Sequence, residues 1–209
     1  MIDAGRSAFG AVLGLMLVGS RAQAAMPGDL PVLPQDSKLV ASDFDEHDEF
    51  GSALAVSGDT LLVGSPQAGP GPDSGVGAVH VRVRSGRSWM EQAILLSPDG
   101  VPGDQFGASV AIDGDTAVVG AWAADIAGVN SAGAAYVFVR SGTTWSFEQK
   151  LVAPESSVAD FFGSSVSLSG NTALVSCHLD DLPLGNDAGS AHVFVRSGGV
   201  WSHQATLVA

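Results

Sequence analysis

The sequence predicts an all-β fold: three 56-residue repeats, each a propeller-type blade of four antiparallel strands, together a partial or open propeller. Three observations predict it. Near-identical strings recur at 48–66 ("DEFGSALAVSGDTLLVGSP"), 104–122 ("DQFGASVAIDGDTAVVGAW") and 160–178 ("DFFGSSVSLSGNTALVSCH"). Landmarks such as Phe50, Phe106 and Phe162, or Trp89, Trp145 and Trp201, are all 56 residues apart with no insertion, a period that signals a solenoid, propeller or array. The chain has 27 Gly, many of them in turn pairs, and its apolar residues alternate with period two.

The elements follow in chain order. Residues 1–24 read as a secretory signal peptide: Arg6, a short apolar run from Ala8 to Gly19, then Ala22-Gln23-Ala24, with cleavage expected after Ala24 or Ala25. The run is shorter than the roughly 20 residues that a spanning helix needs, so no membrane span is expected. Residues 25–37 are a linker, and 38–42 read as an extra strand before the first blade. The blades cover about 51–96, 107–152 and 163–208. In each, the first strand alternates apolar residues (Leu54 and Val56, Val110 and Ile112, Val166 and Leu168), and "GDT" or "GNT" turns into the second. A loop leads to the third, "GAVHVRVR", "GAAYVFVR" or "GSAHVFVR", and "RSG" turns into a fourth that carries the tryptophan. Four such strands make one propeller blade.

Residues that occur three times are expected to do structural work. The Gly after each Phe permits a tight entry into the innermost strand, and the Phe fills the gap between blades. The Trp supplies an apolar body on the outer strand. Asp48, Asp104 and Asp160 cap the turns through side-chain-to-backbone hydrogen bonds.

The pattern "FGxSVAxxGDTxVVGA", a Gly-rich loop and "GAAYVFxRSG…W…KLVA" together resemble the FG-GAP repeat of integrin alpha-chain propellers and of many exported bacterial proteins, over residues 38–209. The resemblance implies a β-propeller, commonly of seven blades, and a role in adhesion. It also implies a calcium loop of the type DxDxDGxxD between the first and second strands. Here that turn is only "SGDT", "DGDT" or "SGNT", too short to supply six or more oxygen ligands, so that site is not carried over. Three blades are fewer than the four to eight that close a ring. Self-association, or continuation into further blades, is therefore expected.

Charge sorts by face. The interblade links (41–50, 97–106, 153–162) and the loops after each second strand (65–76, 121–132, 177–188) emerge on one face. They hold 14 of the 22 acidic residues and no Lys or Arg. Arg84, Arg87, Arg140 and Arg196 belong to the opposite face. With a net charge of −13, the chain is not expected to bind nucleic acid, whose phosphates need a basic patch. The acidic loop face is expected to recognise a protein or other cationic ligand, since loops on a rigid scaffold carry binding residues.

Within that face, "HLDDLPLGND" offers Asp180, Asp181, Asn186 and Asp187 as a candidate metal cluster, and "DFDEHDE" at 43–49 is a second. No cofactor is expected, with calcium left open at these loops. His80, Tyr136 and His192 share one place in the third strand and read as semi-buried packing residues. Cys177, the single cysteine, reads as structural because its counterparts are Ser65 and Ala121. There is no GxSxG, phosphate loop or HExxH. An enzyme would need one blade whose loop breaks the repeat with a polar triad, and none is apparent. The sequence thus predicts no catalytic activity. It predicts an interaction or adhesion module that is secreted, periplasmic or on the cell surface. A fragment of a larger propeller-scaffolded enzyme, or a purely structural domain, is the alternative.

Overall fold

A two-residue turn starts every blade. Gly58 and Asp59 lie between the paired residues Ser57 and Thr60, and Gly58 adopts φ 56°, a left-handed conformation that glycine enters without a Cβ penalty. The same turn recurs at Gly114 (φ 57°) and Gly170 (φ 54°). The computed structural model describes residues 39, 41, 47–69, 74–181 and 187–208. All of them belong to one unit, Gln35–Ala209; a second unit, Met1–Pro34, is outside the described residues, as are the expected signal peptide and linker. Of the strand expected at 38–42, Leu39 and Ala41 are described, and neither belongs to a strand.

The described residues form twelve strands in three antiparallel sheets of four, each in simple sequential order. The first sheet is β1 (Ala53–Ser57), β2 (Thr60–Ser65), β3 (Ala78–Ser85) and β4 (Ser88–Leu95). The second is β5 (Ser109–Asp113), β6 (Thr116–Ala121), β7 (Ala134–Ser141) and β8 (Thr144–Leu151). The third is β9 (Phe162–Ser169), β10 (Thr172–Cys177), β11 (Ser190–Ser197) and β12 (Val200–Val208). Each sheet is one repeat.

Alternation along the strands sends side chains into two cores. In the middle sheet, Ala117, Val119, Tyr136 and Phe138 pack with Leu62, Val79, Val81 and Leu95 of the first sheet. Their neighbours Val118, Ala135, Val137 and Leu151 pack with Ala173, Val175 and Phe194 of the third. Phe106 and Phe162 are fully buried in these seams, as the gap-filling role requires. Among the described residues the outer faces lack such cover. Leu54 and Val56 are 64% and 63% exposed, where their counterparts Val110 and Ile112 are 9%. On the other side, Leu174 and Leu207 are 40% and 53% exposed, where their counterparts Val118 and Leu151 are 0% and 1%.

The seams are tight enough to dictate glycine. A Cβ at Gly64 would overlap the carbonyl oxygen of Gly107, and one at Gly120 would overlap that of Gly163. The third repeat has Ser176 at this position, with its hydroxyl 2.9 Å from that of Ser164. Each outer strand also carries a bulge at the same register: Val81 pairs with Ala93 and Arg82 with Glu91, which leaves Gln92 unpaired. A bulge re-aims a side chain. Here Gln92 Oε1 accepts the indole N–H of Trp145 in the next blade at 3.0 Å, and Glu148, the equivalent residue, accepts that of Trp201 at 2.9 Å.

Candidate functional site

The repeat supplies its own internal comparison. His80, Tyr136 and His192 occupy one position on β3, β7 and β11, and all three are buried, more deeply than the semi-buried state expected from sequence. Their partners differ from blade to blade. His80 Nδ1 lies 3.4 Å from Glu91 Oε2, which also accepts Arg82 Nη2 at 3.1 Å. The Tyr136 hydroxyl donates to Asp99 Oδ1 at 2.8 Å, while Lys150 Nζ donates to Oδ2 of the same carboxylate at 2.9 Å. Partial burial pushes the Asp99 carboxyl up, but the bonds from Lys150 and Tyr136 outweigh it and hold the group below its ordinary value.

The third blade is different. Cys177 stands where Ser65 and Ala121 stand, Asp180 replaces Ala68 and Ala124, and Ser190 replaces Ala78 and Ala134. His203 takes the place of Glu91 and Phe147, and Thr206 that of Ile94 and Lys150. All five gather around His192. The Ser190 hydroxyl donates to Asp180 Oδ2 and lies 3.0 Å from His192 Nε2. His192 Nδ1 lies 3.3 Å from both His203 Nε2 and Thr206 Oγ1. Where Lys150 and Phe147 fill the second blade, Thr206 and His203 leave a cavity of about 370 Å³, also lined by Glu155, Asp180 and Asp181. The third repeat thus differs from the other two by a polar cluster. It is assembled from β10, the loop after it, β11 and β12, so no single loop shows it whole.

Among the described residues the cluster's acids have no Lys or Arg partner. Burial first, then the charges of Asp180 and Asp160, push the Cys177 thiol up to about 12, so it is a neutral thiol that donates to the Asp160 carbonyl at 3.3 Å. Burial and the charges of Asp180 and Asp181 raise the Asp160 carboxyl. Burial and the neighbouring His203 lower His192. Ser190, His192 and Asp180 do not form a relay: the acid and the hydroxyl meet the same ring nitrogen, 3.9 Å and 3.0 Å away, whereas a relay places them on opposite nitrogens.

Of the described loop residues singled out from sequence, Asp180 bonds within this cluster and Asp181 lines its cavity. Asp181 Oδ1 accepts the backbone N–H of Asp187 at 2.9 Å, just as Asp125 Oδ1 accepts that of Ser131 at 2.8 Å in the second blade, so this pair is a shared loop cap. Asn186 lies outside the described residues, as do 43–46 of the second acidic motif. Two of the three expected turn caps are seen: Asp104 Oδ2 accepts Val101 N–H at 2.9 Å, and Asp160 Oδ2 accepts Ser157 N–H. The loop face also holds an aromatic groove of about 430 Å³ between the second and third blades. Trp122 meets Phe161 edge-on, with ring centroids 5.0 Å apart, and Phe161 stacks on His178 at 5.4 Å.

A family model described as FG-GAP repeat matches the chain three times, over residues 34–81, 89–138 and 145–194. The chain belongs to the FG-GAP repeat family. The second and third FG-GAP matches straddle two sheets: the second runs from β4 into β7 and the third from β8 into β11. The first takes in the segment 38–42 before reaching β1, so it has the same phase as the others. No curated protein matches the chain. Among the three FG-GAP repeats of this chain, the polar cluster belongs to the third.

Proposed function

We propose that this FG-GAP chain is a non-catalytic exported interaction module that binds a basic protein segment through its loop face. One observation carries the reading: how the two ends of the blades handle their charge. At the far end, Asp59 pairs with Arg84, and Asp115 with Arg140 at 2.7 Å. At the loop end, Lys150 is the cation that the described residues supply, and it is already bonded to Asp99. Among the described residues Asp125, Glu155, Asp180, Asp181 and Asp187 have no such cation, which leaves a negative field to attract a basic partner. The groove of Trp122 and Phe161 beside them suits an arginine side chain, whose guanidinium stacks on aromatic rings. The signal-like N-terminus supports export. Among the described residues no helix is long and apolar enough to cross a membrane.

The test is an oligo-arginine peptide, titrated by fluorescence in the presence of EDTA. Binding is expected to weaken as salt rises. It should also weaken at least about tenfold in a variant combining Asp125→Asn, Asp181→Asn and Asp187→Asn, which is about 1.4 kcal/mol. The far-end variant Asp59→Asn should keep full affinity. Equal losses in both variants, or no binding by the wild type, overturn the reading. Mass spectrometry of the chain recovered from an exporting host should find an N-terminus at Ala25 or Met26.

A further inference from the structure

We infer that the third blade holds one zinc-class divalent cation between Cys177 Sγ, the Asp180 carboxylate and His192 Nε2, with a fourth coordination position open to the cavity. The inference rests on the loop-face reading only for its location.

The three side chains each offer a ligand atom, and these atoms lie within 4.8 Å of one another. A tetrahedral zinc site with bonds of about 2.0–2.3 Å needs ligand atoms roughly 3.5 Å apart, so closure by about 1 Å completes it. The groups are withdrawn from solvent: Cys177 is 0% and His192 3% exposed, and the Asp180 side chain is 13% exposed. One sulfur, one nitrogen and one oxygen suit zinc, cobalt or copper, and exclude calcium, which wants six to eight oxygens.

A second observation is independent of the triad. Asp160, 1% exposed, has a buried Oδ1 with no hydrogen bond of normal geometry, although the Asp181 amide helps stabilise its charge. This carboxylate is close enough to Cys177 and Asp180 to couple electrostatically with both. A buried, under-satisfied acid beside a second acid calls for positive charge. In the second blade Lys150 supplies a cation beside the equivalent cavity position, but here that residue is Thr206.

The surroundings are arranged as around a metal-ligating histidine. In the metal-free chain the Ser190 hydroxyl gives its one proton to Asp180, so at 3.0 Å it accepts the Nε2–H of His192. On metal binding that ring proton moves to Nδ1, which faces His203 and Thr206, and the Nε2 lone pair turns to the metal. Ser190 bridges Asp180 and His192 and orients both. On binding, the Cys177 S–H bond breaks, its proton passes to water, and the thiolate electron pair forms the S–metal bond. The open position then faces a cavity of about 370 Å³, where a water or a donor from the partner can complete the shell.

The experiment is a cobalt(II) titration of the whole metal-free chain, followed by displacement with zinc. One cobalt per chain should bind and give a thiolate-to-cobalt charge-transfer band in the near ultraviolet, bleached by one equivalent of zinc. Cys177→Ala should abolish the band, and Asp180→Ala should weaken zinc binding at least about tenfold. Both variants install residues that the second blade carries, at Ala121 and Ala124, so the fold has an internal precedent for them; circular dichroism checks it. Absence of the band, or zinc affinity unchanged in both variants, overturns the proposal. Oligo-arginine binding retained in EDTA without any cobalt signal sinks this proposal alone. A full cobalt signal without oligo-arginine binding supports it and sinks the loop-face reading.

Discussion

His192 differs from Tyr136 in one property that matters at mildly acidic pH: it can take up a proton. Its ring ordinarily titrates near 6.5, and burial first, then His203, hold it below that value, against a smaller opposing pull from Asp180. Below pH 6.5 the unfolded chain therefore binds a proton that the folded chain refuses. Stability follows the excess of protons bound by the unfolded state, so this contribution is full above 6.5 and is lost as pH falls through the depressed folded value. Thermal melts of the metal-free chain between pH 7.5 and 5 should show a falling midpoint, with a shallower fall in His192→Tyr. Parallel slopes for the two proteins would assign the acid sensitivity elsewhere. The sequence did not reveal this residue's role, because a position held by His, Tyr and His in successive repeats reads as packing. Its neighbours 177, 180, 190, 203 and 206 are spread over one loop and three strands. The available signal was that each differs chemically from both of its repeat counterparts, which a search within single loops does not detect.

At the scale of elements, strands and turns were legible because their causes are local: period-two alternation, and glycine where φ is positive. The seams between blades were only half legible. Phe106 and Phe162 could be assigned to the gap, since a large apolar residue beside an obligatory turn has nowhere else to go. The bulge at Gln92 and Glu148 left no sequence mark, because an unpaired residue in an outer strand looks like any polar position. Nor did Gly64 and Gly120 announce themselves, as their backbone is ordinary β and their need is steric. A Cβ at Gly120 would overlap a backbone carbonyl, and backbone cannot swing aside as a side-chain tip can. Gly120→Ala should therefore destabilise the chain by about 3 kcal/mol, the upper range for overpacking in a close-packed interior. Urea unfolding followed by tryptophan fluorescence measures it. A midpoint within error of wild type would mean that the second seam is looser than described.

For the whole molecule, the consequence of that glycine lies at the other end of the described sheets. The first sheet presents Leu54 and Val56, and the third presents Leu174 and Leu207, two apolar faces of the kind that neighbouring blades bury against each other. Burial of each such side chain is worth about 1.5–3 kcal/mol, so two copies have reason to stack head to tail in the native seam register. Such a contact is heterologous: it closes into a ring where the rotation from blade to blade permits and otherwise grows into chains of molecules. Ser176 opposes it. Its Cβ occupies the place where, at Gly64 and Gly120, the incoming blade's Phe-Gly carbonyl lies. Head-to-tail growth in that register is therefore expected to be blocked in the wild type and released by Ser176→Gly. Analytical ultracentrifugation should find the wild type at the mass of one chain under conditions where Ser176→Gly forms dimers and longer species. Adding Leu54→Asp to Ser176→Gly should return it to one chain, because a charge on the receiving face cannot be buried without a partner. If the wild type associates as strongly as Ser176→Gly, the serine is no barrier and the seam register is not what limits assembly.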